Sequence, residues 1–171
     1  MAVCASPEFH TILTPKEIRD TMEKAGVTNT LYTVVRDESY MCPSLNFVRG
    51  AFSNGFRSYM AAMGMNDYIL NENDCDKYSN AAVHYMNFLH HQTSDKKRGT
   101  GIAIGIFDYI RGKDVTFNEF GSPLTVNAGH SINVIILRHN NEIKVVFYEP
   151  QTYSIVELTP AEIWSCTRWY F

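Results

Sequence analysis

Apolar positions change their period part-way along the chain. Upstream of Gly101 they recur at helical spacing, and from Gly101 onward they alternate or run together as in strands. Thr14-Pro15 followed by KEIRDTMEKAG predicts a capped helix ended by Gly26, and TLYTVV predicts a short strand. Residues 44–63 carry a helical pattern interrupted by Gly50 and Gly55, which predicts a break there. After Cys75, the residues Tyr78, Ala81, Ala82, Tyr85, Phe88 and Leu89 form one apolar helical face, and Asn73 or Asp74 is placed to cap its start. GIAIGIFDYI, HSINVIILR, EIKVVFYE and YSIVEL then read as strands, TPAEIWS as a last helical turn and CTRWYF as a terminal strand. Helices first and an antiparallel β-sheet after them predict an α+β domain.

The chain has 171 residues, enough for one domain with a core, and its 45% hydrophobic and 19% charged residues are those of a globular protein. A net charge of -3 argues against general nucleic-acid binding, and Lys96-Lys97-Arg98 reads as a solvated loop. No apolar run approaches the roughly 18 residues that span a bilayer. MAVCASPEF has no basic segment followed by an apolar one, so no secretion signal is expected. Cys4, Cys42, Cys75 and Cys166 are too far apart for a zinc pattern, so reduced thiols in a cytoplasm are the expectation, with no cofactor. No internal repeat or low-complexity linker divides the chain.

Cys75 stands in NENDCDKYSNAAVHYMNFL, between acidic and amide residues and at the start of the predicted helix. Unpaired backbone N–H groups and the helix dipole favour a thiolate there. Glu72, Asp74 and Asp76 oppose it, so a thiolate would call for a cationic partner such as histidine. His84, His90 and His91 lie at least two turns along the same helix, and His10 and His139 fall in a loop and a turn. His130 opens a strand in NAGHSINVIILR.

The next strand supplies an acid. If Asn140-Asn141 form a two-residue type I′ turn, Leu137 faces Lys144, Ile132 faces Glu149 and His130 faces Gln151. His130, Glu149 and Gln151 then share one side of the sheet, whereas a three-residue turn would put Glu149 on the other side. A carboxylate beside a histidine fixes its tautomer and stabilises its charged form.

CDKYSNAA, GHSINVII and VVFYEPQT, in that order, resemble the papain-like and transglutaminase-like superfamily of cysteine hydrolases. The GHxxN and EPQT pieces are most similar to the papain-like domain at the C-terminus of fungal chimeric lectins and to related small phage or bacterial proteins. The resemblance spans roughly residues 66 to 158 and implies a papain-like fold. It also implies a Cys-His-Glu triad, with Cys75 as nucleophile, His130 as base and Glu149 as orienting acid. Asn73 and Gln151 are the candidate binding residues. No glutamine upstream of Cys75 matches an oxyanion donor, so Asn71, Asn73 or backbone N–H groups would have to serve.

Other readings are weaker. DCD is also similar to the DCS of bacterial cell-wall amidases, but an acid after the histidine fits Cys-His-Glu better. The acidic run 71–76 lacks the central glycine and distant glutamate of a calcium-binding loop. GTGIAIG lacks phosphate-loop spacing. The aromatic end, Trp164, Trp169, Tyr170 and Phe171, reads as core strand or as a partner-binding patch.

The expectation is therefore one papain-like domain over 1–171, with residues 1–65 an unmatched helical extension and 66–171 the Cys-helix plus sheet. Its function is that of a thiol-dependent hydrolase, a peptidase or deamidase, acting on a protein or peptide substrate. The alternative is a catalytically inactive papain-like protein, viral in one version, that binds or inhibits a host protein target.

Overall fold

The computed structural model describes residues 11–28, 30–65, 74–92, 100–110 and 129–171. In chain order the elements begin with β1 (Thr11–Leu13), α1 (Pro15–Lys24), β2 (Tyr32–Val34) and β3 (Ser39–Cys42). A helical run follows, made of α2 (Leu45–Phe47), a π turn (Val48–Phe52) and α3 (Ser53–Ala62). Then come α4 (Cys75–His91), β4 (Thr100–Ile102), β5 (Ile104–Ile110), β6 (Gly129–His139) and β7 (Glu142–Glu149). The chain ends with β8 (Ser154–Val156), α5 (Pro160–Trp164) and β9 (Cys166–Tyr170). No helix among the described residues is long and apolar enough to cross a membrane.

The fold is α+β, and its sheets are mixed where the sequence pattern predicts an antiparallel one. Six strands run in the order β2-β9-β5-β6-β7-β8, and a smaller sheet runs β1-β3-β4. The pairs β2–β9 and β3–β4 are parallel. Each brings together strands far apart in sequence, a pairing that local periodicity does not encode. Residues 1–65, expected as a helical extension, supply β1, β2 and β3 as well as helices, and β2 belongs to the main sheet. The two sheets meet at Ala103, whose N–H donates to Met41 and whose carbonyl accepts from Ile136 N–H.

The long strand β6 is covered on both faces, which is why HSINVIILR is nearly continuous apolar sequence. Ile135 and Leu137 join a core with α3 and α4. Ile132, Val134 and Ile136 join a second core with Ile18 and Met22 of α1. The β6–β7 turn is the two-residue type, with Asn140 and Asn141 both at positive φ (50° and 64°). Leu137 accordingly faces Lys144.

Local chemistry sets the helix ends. Thr14 and Glu17 form a capping box at α1, and Thr159 and Glu162 repeat it at α5. Gly26 follows α1 at φ +90°, a conformation glycine tolerates. The expected break at Gly50 and Gly55 is not a break. The helix passes Gly50 through the π turn, where the Ser53 hydroxyl donates to the Val48 carbonyl at 2.7 Å. Gly55 is a packing position, since a Cβ there would run into the Tyr85 hydroxyl of α4.

On α4 the buried face is rotated from the predicted one. Tyr78, Ala82 and Leu89 are buried as expected, together with Ser79, Met86 and His90, while Phe88 is 55% exposed. Trp169 is core, whereas Trp164 on α5 stands 62% exposed.

Candidate active site

The candidate side chains stand at the start of α4, the start of β6 and the end of β7. Cys75 is the first residue of α4 and is part-exposed, with a free thiol. The N-cap residue Asp74 is extended, yet its side chain makes no capping hydrogen bond. It turns to Lys77, whose Nζ lies 3.2 Å from Asp74 Oδ1 and 3.9 Å from Asp76 Oδ1. The Asp76 carboxyl is raised above its ordinary value, chiefly by its hydrogen bond with the Asp74 carboxyl and next by desolvation. Lysine pairing and a raised carboxyl both weaken the negative field that these acids would impose on a thiolate.

Two buried polar side chains tie this end of α4 to the sheet. Ser79, one turn after Cys75, places Oγ 2.9 Å from the Ser131 carbonyl and 2.8 Å from the Cys75 carbonyl, sharing its one proton between them. Asn133 Nδ2 donates to the Ser79 carbonyl at 2.9 Å and to the Gly105 carbonyl at 3.1 Å. Sequence reasoning passed over both residues. Their signal was faint: a serine beside the apolar face of a helix, and an asparagine inside an apolar strand.

His130 is the second residue of β6 and Glu149 the last of β7. They are 3% and 1% exposed, and His130 Nε2 lies 2.6 Å from Glu149 Oε2. That is a short hydrogen bond between a ring nitrogen and a carboxylate oxygen. The Tyr109 ring meets the imidazole edge-on at 5.8 Å. The other carboxylate oxygen, Oε1, accepts the Gln151 N–H at 3.2 Å. Gln151 Nε2 is buried and takes no hydrogen bond among the described residues, so it is a donor without an acceptor beside the pair. Asn73, the other predicted binding residue, lies outside the described residues, as do Asn71, Cys4, His10 and Lys96-Lys97-Arg98.

Strand alternation puts His130 on the face of Ile132 and Val134, away from the face that α4 covers. Cys75 stands at the start of α4, and Ser79 one turn on bonds to the Ser131 carbonyl, next to His130 in β6. Gly129 leaves space there, since a Cβ on it would meet nothing within 4 Å. Cys42 and Cys166 are different in kind: both are buried, and burial pushes each thiol up to about 12. Among the described residues no three His, Cys, Asp or Glu side chains converge as metal ligands do.

No family model and no curated protein matches the sequence. Among solved structures the chain is similar to the PSL1a–E64 complex, with a TM-score of 0.63 at 14% identity over 94% of this chain and 51% of that one. It is also similar to Polyporus squamosus lectin bound to the human-type influenza-binding epitope Neu5Aca2-6Galb1-4GlcNAc. There the TM-score is 0.60 at 13% identity, over 94% of this chain and 49% of that one. At that identity the likeness is one of fold, and the chain spans about half the length of either structure.

Proposed function

We propose that the chain is a thiol-dependent hydrolase on a papain-like scaffold, a peptidase or deamidase acting on a protein or peptide. Cys75 is the nucleophile, His130 the base and Glu149 the acid that orients His130. The observation that carries this reading is the buried 2.6 Å contact of His130 Nε2 with Glu149 Oε2, at the end of the sheet where α4 begins. With Nε2 given to the carboxylate, Nδ1 is the nitrogen that addresses the thiol. Nδ1 takes the thiol proton, the sulfur adds to the substrate carbonyl, and the proton passes to the departing nitrogen. Water then cleaves the thioester by the same route in reverse. Gln151, whose buried Nε2 has no hydrogen-bond partner among the described residues, is the candidate binding residue beside the pair.

PSL1a forms a complex with E64, and E64 is an epoxide that alkylates nucleophilic thiols, so it is the test reagent here. Incubation with E64 followed by peptide mapping should place one adduct on Cys75, lost in Cys75→Ala and slowed in His130→Ala. No adduct, or an adduct on Cys42 or Cys166 instead, would reject the hydrolase reading.

A second reading, the same scaffold binding a protein without chemistry, has one observation in its favour. His130 leaves β6 on the face opposite α4, and a thiol that never rounds the strand start leaves the imidazole unused.

A further inference from the structure

Tyr153 has a φ of +57°, in the left-handed region that a bulky side chain rarely adopts. It ends the four-residue turn between Glu149 and Ser154, which pair with each other across β7 and β8. That turn folds back over the acid. Gln151 N–H donates to Glu149 Oε1 at 3.2 Å. Thr152 Oγ1 lies 3.5 Å from the Glu149 carbonyl and 2.7 Å from Ser154 Oγ. With Oε1 held by the turn, Oε2 is the oxygen presented to His130.

Helix α3 holds Tyr153 in place. The Arg57 guanidinium lies 5.0 Å above the centre of its ring, and the Phe56 ring meets it edge-on at 5.7 Å. Glycine or asparagine is the ordinary occupant of a left-handed position. A tyrosine persists there only where its surroundings over-determine the backbone, and such strained positions gather at functional sites.

We propose that Tyr153, clamped by Arg57, is a positioning residue for the Glu149–His130 pair. Its left-handed backbone keeps the turn closed, the closed turn keeps the Gln151 N–H on Oε1, and the carboxylate is thereby prevented from rotating away from His130. The catalytic meaning of this device rests on the Cys-His-Glu reading, while the device itself does not.

The test is an NMR titration of the His130 ring in wild type, Tyr153→Gly, Tyr153→Ala and Arg57→Met, each checked for folding by circular dichroism. Glu149 and Tyr109 are the ionisable groups that face the ring from β7 and β5. A carboxylate that drifts away stabilises the charged imidazole less, so Tyr153→Ala and Arg57→Met should lower the titration midpoint by about half a unit or more. Tyr153→Gly, which accepts positive φ without the clamp, should stay nearer to wild type than Tyr153→Ala. A purely packing role predicts no advantage of glycine over alanine. Glycine and alanine variants that titrate alike, or four proteins with one midpoint, would overturn the proposal. If the midpoints follow the expected order while Cys75 alkylates at one rate in all four, the positioning device stands and the hydrolase reading falls.

Discussion

The Ser79 hydroxyl of α4 lies 2.9 Å from the Ser131 carbonyl of β6, one residue beyond His130. This contact and the Asn133 bonds beside it fix the helix end that carries Cys75 to the strand end that carries the imidazole. Breaking them removes buried hydrogen bonds between α4 and the sheet. Ser79→Ala removes one shared proton and should cost about 1–2 kcal/mol in urea unfolding. Asn133→Ala removes two buried amide hydrogen bonds and should cost more, about 2–4 kcal/mol. Ser79→Ala should also slow Cys75 alkylation if the helix end shifts.

The His130–Glu149 pair predicts an ordered pair of variants. Glu149→Gln keeps the volume and an oxygen for the Gln151 N–H but loses the charge. It should change stability by about 1 kcal/mol and, on the proposed mechanism, lower the hydrolysis rate by about 10–100-fold. Glu149→Ala leaves His130 Nε2 and the Gln151 N–H buried without this partner, and should destabilise by about 2–4 kcal/mol. Urea unfolding of both variants checks the order, and a larger cost for glutamine than for alanine would contradict it.

How far the sequence foretells this structure depends on the range of each interaction. The β6–β7 hairpin was legible because its determinants are local: two asparagines at positive φ and the alternation around them. From that register, Glu149 falls on the His130 side. The start of α4 at Cys75 was legible for the same reason. The parallel pairing of β2 with β9 was not, because Tyr32 and Arg168 pair from near opposite ends of the chain, beyond the reach of local periodicity. Polar residues misled in a consistent way. The predicted apolar face of α4 includes Phe88 and leaves out Ser79 and His90, since helical spacing does not show which remote element offers a hydrogen bond or a gap. Tyr153 carries no sequence signal for its backbone conformation, because what holds it comes from α3.

Gly50 and Gly55 look equivalent in sequence, yet the structure gives them opposite roles. A Cβ on Gly50 would meet nothing within 4 Å, so Gly50→Ala should gain up to about 1 kcal/mol of helix propensity. A Cβ on Gly55 would strike the Tyr85 hydroxyl. Tyr85 is wedged by stacking on Tyr59 at 5.2 Å and by Phe56 at 5.9 Å, so it has little room to yield. Gly55→Ala should therefore cost about 1–3 kcal/mol despite the better propensity of alanine. Thermal unfolding of the two variants should show melting temperatures moving in opposite directions.

The thiols make the last prediction, and it has both a kinetic and an equilibrium side. Desolvation by burial raises Cys42 and Cys166 to about 12, far above a free thiol. At neutral pH both are protonated and shielded, so iodoacetamide should alkylate Cys75 ahead of them, and they should react only as the protein unfolds. The same shifts fix a pH dependence of stability. A group whose folded value is raised binds its proton longer in the folded state than in the unfolded one. The contribution is therefore fully present below the unfolded value, about 8.5, and is lost as pH rises toward about 12. Burial raises the Tyr148 hydroxyl as well, which extends the alkaline loss in the same direction. Urea midpoints measured from pH 7 to pH 11 should fall progressively above about pH 9. Cys42→Ala should flatten that fall at the cost of a small core cavity. A fall as steep in Cys42→Ala as in wild type would mean that this buried thiol is not a source of the alkaline loss.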